Sequence, residues 1–168
     1  MIGKIKVSGV GCCLVDVLHN NIDFNSEIMK PFLSKYRGDG GLSPGKLVFK
    51  EEFEKYSGSY LDQIIKLITG GRSQDKINIG GPSIVSLINV AQLVDTDKCE
   101  VHFYGHGGND INGKYLLSSI KKTPVVLHDY KLIAGITPST IVLSDPSFNE
   151  GTGERMFINS IGVASDYT

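Results

Sequence analysis

The sequence predicts an α/β fold: a parallel sheet with helices on both faces. Three observations predict it. Apolar runs of strand length near residues 4–10, 101–104 and 125–128 are separated by longer segments with helical periodicity. Glycines cluster where helix and strand meet, at Gly80-Gly81 and again from Gly105 to Gly113, as in α/β units that bring backbone close to a ligand or to another backbone. The last third changes character, with two alternating apolar segments joined by a polar turn, the pattern of a β-hairpin with one wet face.

A chain of 168 residues is long enough for one domain with a real core. Hydrophobic residues make up 40% and charged residues 21%, which places it among soluble globular proteins. The net charge of −1 gives no surplus of cations to neutralise phosphates, so no nucleic-acid partner is expected. No run approaches the roughly 18 apolar residues of a membrane span, and M-I-G-K-I-K-V leads straight into a strand instead of a signal peptide. The expected location is therefore the cytoplasm. Cys12, Cys13 and Cys99 fit the same compartment as buried thiols, since adjacent residues of a strand point to opposite faces and do not chelate together.

Taken in order, Lys4 to Val17 is rich in Val, Cys and Leu and predicts a central strand buried on both sides. Asp16 breaks its apolar character. A carboxylate at the carboxyl end of a buried strand needs partners, and in open α/β sheets that end is where ligands bind; a turn Asp capping the next element is the plainer alternative. Ile28, Met29, Phe32 and Leu33 predict a short amphipathic turn limited by Pro31. The glycine-rich run from Gly38 to Gly45 is a loop, followed by a short strand at 46–49. It is no Walker loop, because Gly45-Lys46 is followed by Leu47 where a hydroxyl is needed.

Residues 51–70 read as helix, with Tyr60, Leu61, Ile64, Ile65 and Ile68 on a 3.6-residue period and Gly70-Gly71 as the stop. Residues 72–76 read as a solvated linker. Gly80-Gly81-Pro82 opens the next helix, with Pro82 at the first position, where its missing N–H costs nothing. That helix, 82–94, is apolar nearly all round, so packing on two sides is expected. After the strand 101–104 comes G-x-x-G-x-D-x-x-G, formed by Gly105, Gly108, Asp110 and Gly113. Asp110 or Asn112 is placed to cap the helix that follows, with Leu116, Leu117 and Ile120 inward. The segments 139–144 and 156–161 are the arms of the final hairpin.

Together these motifs resemble the N-terminal part of the ribokinase-like (PfkB) carbohydrate kinase family. The resemblance is carried by Gly80-Gly81 at a helix start, by the glycine-Asp cluster at 105–113, by G-C-C-L-V-D ending at Asp16, and by Gly153-Glu154-Arg155 followed by Gly162-Val163-Ala164. Two positions depart from the family pattern: Val85 stands where an Asn is usual, and Pro82 where a Lys or small residue is. The resemblance implies a ribokinase-like Rossmann-type sheet plus a β lid. Residues 1–168 would be the substrate-binding N-terminal part, with lid segments near 12–49 and 139–161.

It further implies a kinase that transfers the γ-phosphoryl of ATP, with Mg²⁺, to a hydroxyl of a sugar, or alternatively of a nucleoside. Asp16 would orient substrate hydroxyls, Gly80 and Gly81 would let the sugar approach the backbone, and Glu154 and Asn159 would reach it from the hairpin. The catalytic base and phosphate-binding glycines of the family are absent and would lie beyond Thr168, so the segment alone should be inactive. A lid-mediated homodimer is implied, and a non-catalytic sugar-binding or dimerisation module is the non-enzymatic alternative. A second enzyme class, a metallohydrolase, would draw on His102, His106 and Asp110, four residues apart in turn.

Overall fold

A computed structural model describes residues 3–166. In chain order the strands are β1 (Ile5–Val10), β2 (Leu14–His19), β3 (Leu47–Phe49), β4 (Lys76–Gly80), β5 (Cys99–Gly108), β6 (Tyr130–Ile133), β7 (Ser139–Asp145) and β8 (Glu154–Ser160). The helices are α1 (Lys50–Ser57), α2 (Leu61–Ile68), α3 (Pro82–Leu93) and α4 (Ile111–Ile120). The described residues divide into two compact units, one of residues 3–15, 78–139 and 161–166, the other of Asp16–Ile77 and Thr140–Ser160.

The first unit is built on a parallel sheet of order β1-β5-β6. Ile5 pairs with Cys99 and Val10 with Tyr104, while Gly105 pairs with Tyr130 and Gly108 with Ile133. Helix α3 packs on β1 and β5, and α4 on β5. Leu87 of α3 sits where a side chain at Gly9 would stand, so the glycine lets helix and strand close together. Ile84, Leu87 and Ala91 face inward, whereas Leu93 is 86% exposed. The expectation that α3 packs on two sides is therefore met on one side only by the described residues.

Three readings of this region need correction. The apolar run 4–17 is two strands, broken at Gly11, whose φ is +153°. Strand β1 lies at the sheet edge, with Ile5 68% exposed, because β5 takes the central place. Composition marks a strand as apolar but does not say which strands flank it. The glycine cluster lies within β5, which runs on to Gly108. A Cβ at Gly107 would collide with the Tyr130 hydroxyl, and one at Gly108 with the backbone of residues 135–137, so these glycines serve close packing. Finally, the strand expected near 125–128 is one bridge, His102 to Val126, and the paired strand comes later as β6.

The second unit carries most of a five-stranded sheet of order β3-β8-β7-β2-β4. Strands β7 and β8 are neighbours joined by residues 146–153, a connection too short for a crossover, so they run antiparallel as the hairpin pattern predicts. Strand β3 pairs parallel to β8, with Leu47 against Phe157 and Phe49 against Asn159. Ile22, Phe24, Met29, Phe32, Leu42, Phe53, Ile64, Leu143, Met156 and Ile158 form one buried core, and the Phe32 and Phe53 rings meet edge-on at 6.2 Å. Burying each large side chain contributes about 1.5–3 kcal/mol relative to leaving it in water.

The helix expected over 51–70 is two helices. Gly58 ends α1 with φ +69°, the left-handed conformation glycine adopts at no steric cost, and the Glu54 carboxylate then accepts from the Leu61 N–H at 2.7 Å to start α2. The solvated linker ends in β4: Asp75 N–H donates to the Leu18 carbonyl, and the Asp75 carboxylate accepts from Asn20 N–H at 2.7 Å. No described helix is long and apolar enough to cross a membrane.

Candidate functional site

Strand alternation sorts the second unit's sheet into two faces. Ile141, Leu143, Met156 and Ile158 point into the core. Their neighbours Thr140, Val142, Phe157 and Asn159 therefore stand on the other face. Asp16 joins them, because its carboxylate lies beside the Thr140 hydroxyl. Thr140 and Asn159 thus share that face on the neighbouring strands β7 and β8. Asn159 in turn pairs with Phe49. Asp16, Thr140, Asn159 and Phe49 thus share one face across β2, β7, β8 and β3. Val142, Phe157 and Leu47 make up the apolar part of that face, with Leu47 pairing Phe157.

Burial pushes the Asp16 carboxyl above its ordinary range, and the neighbouring Thr140 hydroxyl partly offsets that. Thr140 itself is buried. A carboxylate beside a buried hydroxyl keeps lone pairs for two further donors, the demand made by adjacent hydroxyls of a polyol. On β8, the Asn159 Oδ1 is buried and finds no donor among the described residues. A buried acceptor left unpaired costs about 1–3 kcal/mol.

The other predicted site residues fall elsewhere. Glu154 has the same parity as Met156 and Ile158, so it lies on the face opposite Asn159. Its carboxylate accepts from the Arg155 N–H at 2.8 Å and lies close to Gly45. The hairpin thus does not present Glu154 and Asn159 together. Gly80 and Gly81 belong to the first unit. Gly81 precedes Pro82 with φ +100°, and a Cβ there would collide with the Cys12 carbonyl oxygen, so close backbone packing by itself requires glycine. Pro82 occupies the first position of α3, and the Ser83 hydroxyl donates to the Val10 carbonyl at 3.1 Å.

Asp110 is a cap. Its carboxylate accepts from Gly113 N–H at 2.8 Å, Thr137 N–H at 2.9 Å and the Thr137 hydroxyl at 2.5 Å. Burial works to raise its carboxyl, but these bonds outweigh it and hold the group below its ordinary range. His102 lies 3.3 Å from Glu100, and no three His, Cys, Asp or Glu side chains among the described residues come together to hold a metal ion. Cys13 is buried, its thiol pushed up to about 12 by burial beside the Tyr130 hydroxyl.

A nucleoside triphosphate needs amides and cations around its phosphates. Helix α2 begins at a Glu54 carboxylate and α4 at that of Asp110, while α1 opens with Glu51 and Glu52. Anions already occupy or flank these helix starts, and they do not fit a polyphosphate. Sequence reasoning found Asp16 through its break of an apolar run, and missed Thr140, Phe157 and Phe49. Phe157 alternates with core residues Met156 and Ile158, and that alternation was the available signal.

No family model matches the chain, and no curated protein matches it. Solved structures do. Adenosine kinase from Schistosoma mansoni in complex with 2-fluoroadenosine aligns with TM-score 0.65 at 20% identity, covering 96% of this chain and 40% of that one. A probable sugar kinase from Rhizobium etli aligns with TM-score 0.64 at 14% identity, covering 99% and 42%. Anopheles gambiae adenosine kinase in complex with P1,P4-di(adenosine-5) tetraphosphate aligns with TM-score 0.63 at 18% identity, covering 98% and 40%. The chain has the ribokinase-like α/β fold that its motifs imply, and it spans well under half the length of each of these kinases.

Proposed function

We propose that this chain is the substrate-binding part of a ribokinase-like carbohydrate kinase, one that phosphorylates a hydroxyl of a sugar or of a nucleoside. The observation that carries the reading is Asp16, a carboxylate standing beside Thr140 on the face of the second unit's sheet that points away from its core. It offers a carboxylate whose oxygens accept from hydroxyl donors. Support comes from the fold shared with an adenosine kinase holding 2-fluoroadenosine and with a probable sugar kinase.

In this reading the sheet segments near 12–49 and 139–161 are lid segments, and Gly80 and Gly81 are positions where a substrate can come close to backbone. Water is kept from competing as phosphoryl acceptor. ATP with Mg²⁺ would supply the transferred group, in line with the polyphosphate ligand of the Anopheles gambiae kinase. The starts of α1, α2 and α4 do not fit that group, and in this reading the nucleotide site and catalytic base lie on residues outside those described. The edge of β3, open on one side of the sheet, would pair with a second copy. The reduced state of all three cysteines suits the cytoplasm.

The test sets residues 1–168 beside the gene's complete reading frame, each with ATP, Mg²⁺ and a panel of sugars and nucleosides. The complete frame should release ADP with at least one acceptor, and residues 1–168 none. Asp16→Ala should weaken acceptor binding by calorimetry at least tenfold, since each hydrogen bond to a charged group contributes roughly 1.5–3 kcal/mol. Turnover by residues 1–168, or unchanged affinity in Asp16→Ala, would overturn the reading.

A further inference from the structure

The helical face of the second unit's sheet holds a cleft that the kinase reading leaves unused. Alternation along β2 puts Val17 and His19 on the side opposite Asp16. On α2 and its C-terminal cap, Asp62, Ile65, Lys66 and Thr69 fall at positions i, i+3, i+4 and i+7, one stripe of the helix. After α2 the chain turns at Gly70-Gly71 and returns beside β2, where Asp75 N–H meets the Leu18 carbonyl, and this brings Arg72 to the rim. The cleft so formed has a volume of about 300 Å³, with Val17, Ile65 and Ile141 as its apolar wall. That volume is at the small end for ligand sites.

The polar groups of the cleft are poised and uncommitted. His19 is only 6% exposed, and its ring has no hydrogen-bond partner among the described residues. Its ring nitrogens retain accessible surface, unlike the enclosed Asn159 Oδ1, and so open into the cleft. Burial, opposed by Asp75 and aided by Arg72, holds the imidazole below its ordinary range. At pH 7 it is therefore neutral and offers an N–H together with an acceptor nitrogen. Lys66 stands four residues from Asp62, a spacing that suits an ion pair, yet it makes none with the described residues. Arg72 is steadied by donating from Nε to the Thr69 carbonyl and from Nη2 to the Asn20 carbonyl, both at 3.3 Å, which leaves further N–H donors over.

Two cations and an imidazole at one end of an apolar cleft suit an anion. Asp62 lies about 6 Å along the helix from Lys66, and Asp75 acts on His19 from beside the cleft. With two carboxylates so near, a singly charged carboxylate is a better match than a doubly charged phosphate. The apolar wall calls for hydrocarbon attached to that carboxylate. We propose that the cleft between α2 and β2 binds a small organic monocarboxylate, its carboxylate on Lys66, Arg72 and His19 and its hydrocarbon on Val17, Ile65 and Ile141. The proposal does not depend on the kinase reading, whose candidate residue Asp16 is on the other face of the sheet.

Titration of the 168-residue chain with benzoate, benzamide and inorganic phosphate tests this, followed by calorimetry and by the NMR signals of the His19 ring, with urea unfolding of each variant. Benzoate should bind saturably and shift the His19 signals. Benzamide, alike in shape but uncharged, and phosphate should each bind at least about tenfold more weakly, and Lys66→Gln and Arg72→Gln should each weaken benzoate by a similar factor, as for loss of a hydrogen bond to a charged group. His19→Leu should weaken benzoate too and leave the chain no less stable, because the imidazole has no internal partner to lose. No saturation below about 10 mM would overturn the proposal. So would benzamide or phosphate binding as tightly as benzoate, or binding that leaves the His19 signals unmoved and is indifferent to Lys66→Gln. A His19→Leu chain that loses stability but binds benzoate as before would overturn it as well, since the imidazole would then serve the core alone.

Discussion

Replacing Asp110 tests whether the carboxylate of the glycine-rich motif is structural. The side chain accepts three hydrogen bonds, from Gly113 N–H, Thr137 N–H and the Thr137 hydroxyl. Loss of an N-cap costs about 1 kcal/mol. Thr137 is fully buried, so its N–H loses an acceptor where water cannot replace it, a further 1–3 kcal/mol or so. Its hydroxyl retains Gly108 as a partner and adds little. Asp110→Ala should therefore destabilise the first unit by about 3 kcal/mol, and Asp110→Asn by less, because the amide oxygen still accepts one bond.

The assay is amide hydrogen exchange at Gly113 and Thr137 together with urea unfolding. Exchange at both amides should quicken about a hundredfold, at 1.4 kcal/mol per decade. Because the folded-state carboxyl is held below its unfolded value, its contribution is complete above about pH 4. That contribution fades as pH falls through the depressed folded value, and the parent should approach the variant there. Exchange changed by less than about threefold would refute the cap, and a loss of ligand affinity without loss of stability would point to a binding role for Asp110 instead.

Other consequences follow from single features. Gly81→Ala should cost at least about 2 kcal/mol, since φ +100° strains an L-residue and its Cβ meets the Cys12 carbonyl; a variant within about 0.5 kcal/mol of the parent in urea would count against that packing. Asp16 has a raised carboxyl, so its ionisation opposes folding as pH rises through that value. Asp16→Asn should then raise the thermal midpoint at pH 7 and leave it unchanged at pH 3, while ligand affinity of the parent should climb over the same rise in pH. With its thiol pushed up to about 12 and buried, Cys13 should be alkylated by iodoacetamide at pH 8 more slowly than Cys12 or Cys99; equal labelling by mass spectrometry would contradict its burial.

The sequence by itself determined the class of fold and most of its helices. Pro82 at the first turn of α3, Asp110 before α4 and Gly58 after α1 act through backbone geometry within a few residues, so they are legible locally. Of these, the Gly58 stop was overlooked inside an otherwise periodic run. The hairpin was legible for the same reason, since alternation encodes a strand face directly. Asp16 announced itself by interrupting an apolar segment.

Only the tertiary structure decided what lies beside what. That β1 is an edge and β5 central depends on pairing between residues about ninety positions apart, Ile5 with Cys99. That Gly81 must be glycine depends on the Cys12 carbonyl, and that Gly107 must be depends on Tyr130. The face shared by Asp16, Thr140, Asn159 and Phe49 draws on four strands. Glu154 and Asn159 looked equivalent as polar residues of one hairpin, yet the pleat sends them to opposite faces. A strand's sequence fixes which of its residues share a side, but which strands stand next to it is set by the burial of a common core, a property of the whole chain.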